Sequence, residues 1–140
     1  MAHLAFDGLY RAASDLIKSR HRARAHELAA AVMGASGKIY TAVNLDCFSR
    51  TAAACAESSA IAMALTAGEN SISAILTVRY HNESSVDPSL VSPCGRCREL
   101  ISDYGKDATV FVPDETGGPQ TCKIHDLLPN RYAKQGKRNG

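Results

Sequence analysis

No stretch of the 140 residues approaches the ~18 consecutive apolar positions that a membrane-crossing helix needs. Near the amino terminus, Asp7 and Arg11 interrupt the region where a secretory leader requires an apolar run, so the expected location is cytoplasmic. Neither sign of charge dominates. Sixteen Lys and Arg against 14 Asp and Glu leave a formal net charge of +2, too little by itself to draw the chain onto nucleic acid. The basic residues that do cluster are Lys18, Arg20, Arg22 and Arg24, and then Arg131, Lys134, Lys137 and Arg138. They read as a solvated face and, over about 133–140, a loose basic tail. No internal repeat or interdomain linker is visible, and a hydrophobic content of 45% excludes disorder as the starting expectation. The length suits one domain over 1–140, large enough to bury a core without staples. An even set of cysteines is missing too. The five present (Cys47, Cys55, Cys94, Cys97 and Cys122), with no leader, argue against a disulfide framework and for metal or thiol chemistry.

Hydrophobic periodicity supplies the elements. Phe6, Leu9, Ala13, Leu16 and Ile17 recur at helical spacing and predict an amphipathic helix from Ala5 to about Ser19. Two β-rich runs, Leu28 to Met33 and Lys38 to Asn44, flank Gly34-Ala35-Ser36-Gly37, a hairpin turn signal. The alanine-rich stretch from Ala52 to Ala67, stopped by Gly68, predicts a helix. Ile72 to Tyr80 is a buried strand by its β-branched content, and the polar segment His81 to Ser92, carrying Pro88, is a loop. Pro93 suits the first turn of a helix running to about Tyr104. A strand over Thr109 to Val112, an edge strand over Gln120 to Ile124 and a short helix over His125 to Leu128 complete a layered α/β arrangement.

Three cysteines fall at telling places. Cys94-Gly95-Arg96-Cys97 follows Ser92-Pro93 at a predicted helix start, where the helix dipole and free N–H groups favour thiolates. Cys55 lies near the start of the other helix, with Glu57 two residues on. Taken alone, the C-x-x-C pair reads equally as a redox couple, half of a structural zinc knuckle or two buried thiols, and Glu57 as a favourable charge at a helix start. Cys47 is an alternative fourth ligand that would close such a metal site, and Cys122 a packing thiol. Jointly, Cys55-Ala56-Glu57 and Ser92-Pro93-Cys94-Gly95-Arg96-Cys97 are far more specific. They match the zinc deaminase pattern in its all-cysteine form. Three protein ligands leave a fourth position on the metal open, and the nearby Arg96 and Arg98 can offset the charge of three thiolates.

On these residues the chain resembles the cytidine deaminase superfamily, and most of all its small homotetrameric branch of cytidine deaminases and blasticidin-S deaminases. The resemblance runs from about Ala29 to Ile61, resumes from Ser92 to Leu100, and returns at Ile124 to Tyr132. It implies a three-layer α-β-α fold around a five-stranded mixed sheet, zinc (Zn2+) at two helix starts, and a homotetramer with active sites near subunit interfaces. It assigns zinc to Cys55, Cys94 and Cys97, and acid/base duty to Glu57. Ala56 matches a backbone contact to the pyrimidine, and Asn44 the contact to a sugar hydroxyl. Leu127-Leu128-Pro129 matches the family's carboxy-terminal pattern, and Tyr132 falls where an aromatic reaches a neighbouring subunit's substrate.

Departures from the pattern bear on the substrate. His26 stands where a stacking Phe is usual, and Asp46 where a longer Glu is usual. Phe48 is closer to the blasticidin-type pattern, and Ser58 replaces an Arg that touches zinc-bound sulfurs, a role that passes to Arg98. Arg50 lies where substrate-side segments pass. The expectation is a zinc hydrolase that releases ammonia from a cytosine-type base or nucleoside: cytidine, deoxycytidine, blasticidin S or a modified cytosine-like heterocycle. The competing readings are a non-catalytic zinc-stabilised binding or scaffold protein and a thiol redox protein. Polynucleotides are disfavoured as substrates because short connections and low charge give no single-strand channel.

Overall fold

The fold is known from a computed structural model that describes residues 2–83 and 85–132. The expected basic tail over about 133–140 lies outside the described residues. The elements are α1 (Ala2–Arg20), β1 (Leu28–Gly34), β2 (Ile39–Val43), α2 (Ala56–Thr66), β3 (Ile72–Arg79), β4 (Ser89–Val91), α3 (Gly95–Tyr104), β5 (Thr109–Pro113), β6 (Pro119–Lys123) and α4 (Ile124–Leu127). The main sheet runs β2-β1-β3-β5-β6, with β4 paired to β3. All the strand pairs are antiparallel except β3 with β5.

The central strands are apolar on both faces because both are covered. In β1 the two-residue period sends Ala29 and Ala31 one way and Ala30 and Val32 the other. Ala29 and Ala31 join Leu76, Val78 and Phe111 under Leu9, Ala13 and Ile17 of α1. Ala30 and Val32 join Ile75, Val110 and Val112 under Ala56, Ala60, Ile61 and Ala64 of α2 and Ile101 of α3. The result is three layers, helix on sheet on helix, as the sequence implied. Small alanines on β1 and α2 let these backbones approach closely, so α2 packs against the sheet with Ala56 of its first turn in the core.

Several local expectations need correction. The helix expected from Ala52 begins only at Ala56. Leu45 and Ala54 exchange backbone hydrogen bonds of 2.8 and 2.9 Å, which hold this segment extended after a short 3-10 turn over Arg50–Ala52. Helix propensity of the alanines loses to this pairing, and Cys55 becomes the N-cap. The expected loop from His81 to Ser92 contains β4, whose Ser89, Leu90 and Val91 pair with Arg79, Val78 and Thr77. This strand leads the chain directly into Pro93 and Cys94. Pro93 therefore precedes the N-cap, Cys94, instead of lying in the first turn. Arg131, grouped with the basic tail on sequence, forms ion pairs with Glu99 and Asp103 of α3, at 3.4 and 2.9 Å. The hairpin turn is as expected. Gly37 takes φ +87°, a conformation that costs glycine nothing. No helix among the described residues is long and apolar enough to cross a membrane.

The far end of α3 docks through Gly105. A Cβ there would lie 2.5 Å from Ile72 Cγ1, 2.9 Å from Ala108 Cβ and 3.0 Å from the Ile72 carbonyl oxygen of β3. Gly105→Ala is therefore expected to lower stability by about 1–3 kcal/mol through overpacking, read as a lower urea midpoint at unchanged slope. An unchanged midpoint would show that the α3–β3 contact is slack.

Candidate active site

Two helix starts face each other. Cys55 caps α2 and Cys94 caps α3, both with extended backbone (φ −68°, ψ 149° and φ −68°, ψ 167°). Cys97 is the third residue of α3, one turn inside, and is fully buried. The three sulfurs lie within 4.8 Å of one another, with 3.5 Å between those of Cys55 and Cys94. A tetrahedral zinc with bonds of ~2.3 Å places its sulfur ligands about 3.8 Å apart, so the spacing fits that ion.

The electrostatics point the same way. Burial, first of all, raises the Cys55 thiol above its ordinary value. Burial acts likewise on Cys94, but the Cys97 N–H and the neighbouring sulfurs outweigh it and bring that thiol below its ordinary value. Burial and then the Glu57 charge push Cys97 far above the usual thiol range. Two of the three thiols thus resist ionising, and a divalent cation would complete such a cluster, since ligation requires thiolates and supplies the charge to stabilise them. Cys47, the alternative fourth sulfur, is exposed and donates to the Ser49 carbonyl at 2.6 Å. It is not part of the cluster.

Glu57, in the first turn of α2, is only 5% exposed. Burial holds its carboxyl above the ordinary value, while its own N–H and the neighbouring Thr77 and Cys97 side chains pull the other way. The Thr77 hydroxyl is buried on β3 beside the carboxylate without a hydrogen bond of ordinary geometry. Glu57 opens onto a cavity of about 490 Å³, whose lining includes Asn44, Asp46, Cys55, Ala56 and Cys94. Ala56, first residue of α2, carries one of the N–H groups that a helix start leaves without an intrahelical partner.

The rim is built by strand ends. Asn44 Oδ1 accepts from the N–H groups of Glu27 and Leu28 at 2.9 and 3.0 Å, locking the end of β2 to the start of β1 and leaving the amide NH2 to point elsewhere. Asp46 Oδ1 accepts from the Cys47 N–H at 2.9 Å. The remaining expected site residues are not gathered at the cavity. The His26 Nδ1–H donates to the Asn44 carbonyl at 2.8 Å, and its ring lines a separate groove with Val43, Leu45 and Met63. Phe48 and Tyr132 are on the surface, 107% and 85% exposed. Ser58 Oγ donates to the Cys55 carbonyl at 2.8 Å. Arg98 donates to the carbonyls of Pro93 and Leu127, each at 2.9 Å, and so braces the α3 start against α4, making no hydrogen bond to a sulfur among the described residues. Arg96 reaches the Ala53 carbonyl at 3.4 Å, across the gap between the two helix starts. Sequence reasoning passed over Glu27 and Arg79, which join the cavity lining. The position of Arg79, at the carboxyl end of a strand in a sheet with parallel pairing, was the available signal.

Comparison with known proteins agrees with this geometry. Residues 7–113 match the cytidine and deoxycytidylate deaminase zinc-binding region. The chain is 34% identical over 128 residues to the blasticidin-S deaminase of Bacillus cereus, covering 90% of this chain and 91% of that one. Its fold superposes on the crystal structure of cytidine deaminase from Mycobacterium leprae with a TM-score of 0.71 at 27% identity, over 89% of this chain and 98% of the other. The cytidine deaminase of Bacillus anthracis shares the fold with a TM-score of 0.77 at 23% identity, over 90% of this chain and 88% of the other. With Cys55, Cys94 and Cys97 clustered so that they can hold a metal ion, the chain belongs to the cytidine and deoxycytidylate deaminase family, whose zinc-binding region it matches.

Proposed function

We propose that this protein, as one domain, removes the exocyclic amine of a cytosine-type base or nucleoside by hydrolysis, releasing ammonia; blasticidin S belongs to this substrate set. The observation that carries the reading is a buried carboxylate, Glu57, set beside three clustered sulfurs on the wall of one cavity. Zinc would be held by Cys55, Cys94 and Cys97 and would supply Lewis acidity that makes water a competent nucleophile near neutral pH. Glu57 takes a proton from that water and delivers it to the ring nitrogen beside the amine-bearing carbon. The water oxygen bonds to that carbon, Glu57 passes the second proton to the amine, and the C–N bond breaks to leave a carbonyl and ammonia. In this reading the Ala56 N–H holds the base, and Asn44 and Asp46, which line the same cavity, hold what the base carries. The exposed Leu45, Phe48, Met63 and Tyr132 supply apolar surface for the homotetramer that the family resemblance implies.

Glu57→Gln is expected to retain zinc, about one per chain, and to lower kcat for ammonia release by about 10²–10⁴-fold across a panel of cytidine, deoxycytidine, cytosine and blasticidin S. Full activity in that folded, zinc-loaded variant would remove the mechanism. Chelation is expected to abolish turnover and lower the melting temperature, with both restored by one equivalent of zinc per chain. A stability difference follows from burial. Because the folded carboxyl sits above its ordinary value of 4.5, the metal-free fold is favoured while Glu57 keeps its proton, and that favour is lost as pH rises through the raised pKa. In zinc-free protein, Glu57→Gln is therefore expected to raise the urea midpoint at about pH 8 and to change it little at about pH 4. A larger gain at the lower pH contradicts this assignment.

A further inference from the structure

Among the described residues, two buried hydroxyl groups have no hydrogen-bond partner, Ser14 Oγ and Thr77 Oγ1. A buried donor without an acceptor costs stability, so each calls for an explanation. Ser14 lies on α1, on the face of the sheet opposite α2 and α3. Thr77 lies on β3, and the two-residue period of the strand decides which way its side chain goes. Ala74, Leu76 and Val78 pack in the cluster under α1, whereas Ile75 packs in the cluster under α2 and α3. Thr77 therefore shares the α2 face with Ile75 before it and Arg79 after it. Ile75 belongs to the core and Arg79 lines the cavity, so Thr77 stands where that face passes from one to the other.

The neighbours of Thr77 on that face narrow what its hydroxyl can do. Across the sheet it is in register with Ala30 of β1 and Val91 of β4, both apolar, as is Ile75. Arg79 offers donors only, and its Nη2 pairs with Glu27 at 3.6 Å. The first turn of α2 covers the same face, since Ala56 packs in one cluster with Ala30 and Ile75. That turn brings in Glu57, whose buried carboxyl has the Thr77 side chain as a hydrogen-bonding neighbour. The Cys97 side chain is the other such neighbour, and its sulfur belongs to the metal-binding cluster. Thr77 is itself only 1% exposed, so bulk water does not reach its hydroxyl.

We propose that Thr77 is a positioning residue: its hydroxyl donates to one oxygen of the Glu57 carboxylate, fixes the rotation of that group, and leaves the second oxygen to carry protons in the cavity. This rests on the deaminase reading. A carboxylate that takes a proton from water and gives it to a bound substrate works best with one oxygen held and the other free. A hydroxyl suits the task, because it donates a hydrogen bond without adding charge beside three sulfurs.

The test compares Thr77→Val, which keeps the shape and removes the hydroxyl, with Thr77→Ser, which keeps the hydroxyl. Thr77→Val is expected to lower kcat for ammonia release about tenfold or more, with KM changed less than about threefold and about one zinc retained per chain. Thr77→Ser is expected to keep kcat within about threefold of the parent. Ser14→Ala, which removes the other unpartnered hydroxyl, is expected to leave kcat and KM unchanged and to raise the urea midpoint. An unchanged kcat in Thr77→Val overturns the inference, as does a loss matched by Thr77→Ser or by Ser14→Ala. A Thr77→Val protein that fails to fold or loses its zinc overturns it too, since the residue then serves the core and not the carboxylate. Ammonia release by the parent protein tests the deaminase reading separately. Release that Thr77→Val leaves unaffected sinks only the inference, and no release from any substrate of the panel sinks both.

Discussion

Three thiols and a carboxylic acid brought around one point do not ionise together unaided. Burial and mutual repulsion hold Cys97 and Cys55 towards their protonated forms, and burial presses Glu57 the same way. A divalent cation resolves the conflict, because it supplies the charge that burial denies and fixes the sulfurs at bonding distance. The rest of the structure can be understood as the means of imposing that crowding. Cysteines at the N-caps of two helices meet only if both helices start at the same place, on the same side of the sheet.

Packing sets that meeting point. Alanines along β1 and α2 bring α2 close to the sheet, while Gly105 allows the far end of α3 to touch β3. β4 runs antiparallel to the end of β3 and delivers Pro93 and Cys94 beside Cys55. The extended pairing of Leu45 with Ala54 delays the start of α2, so that Cys55 is a cap and not a buried helical residue. A few backbone hydrogen bonds thus decide whether the sulfur faces the cavity or the core.

Much of this was legible in the sequence. The spacing of Cys55 from Glu57, and of Cys94 from Cys97, carries the cluster because each pair lies within one helical turn and its geometry is local. The three-layer α-β-α arrangement was legible from periodicity together with the resemblance, β1 was readable because it is apolar throughout, and β3 because it is rich in β-branched residues. What escaped depends on partners remote in the chain. β4 is three residues long and polar at its start, and only pairing with β3 makes it a strand. The alanines at 52–54 have high helix propensity, which Leu45 overrides. Glu27 and Arg79 reach the cavity from strand ends that come together only in the folded sheet. His26 gives its Nδ1–H to the Asn44 carbonyl, a contact between segments 18 residues apart, and lines a groove with Val43, Leu45 and Met63.

The cysteine cluster beside a buried carboxylate fits the chemistry of the family to which the chain belongs. The account stands on three sulfurs around zinc with one position left to a lighter atom. Zinc K-edge X-ray absorption of the purified protein measures this directly. The predicted result is three sulfur scatterers at ~2.3 Å and one oxygen or nitrogen at ~2.0–2.2 Å. Four sulfurs, or a protein that folds and is purified without binding zinc, would contradict it.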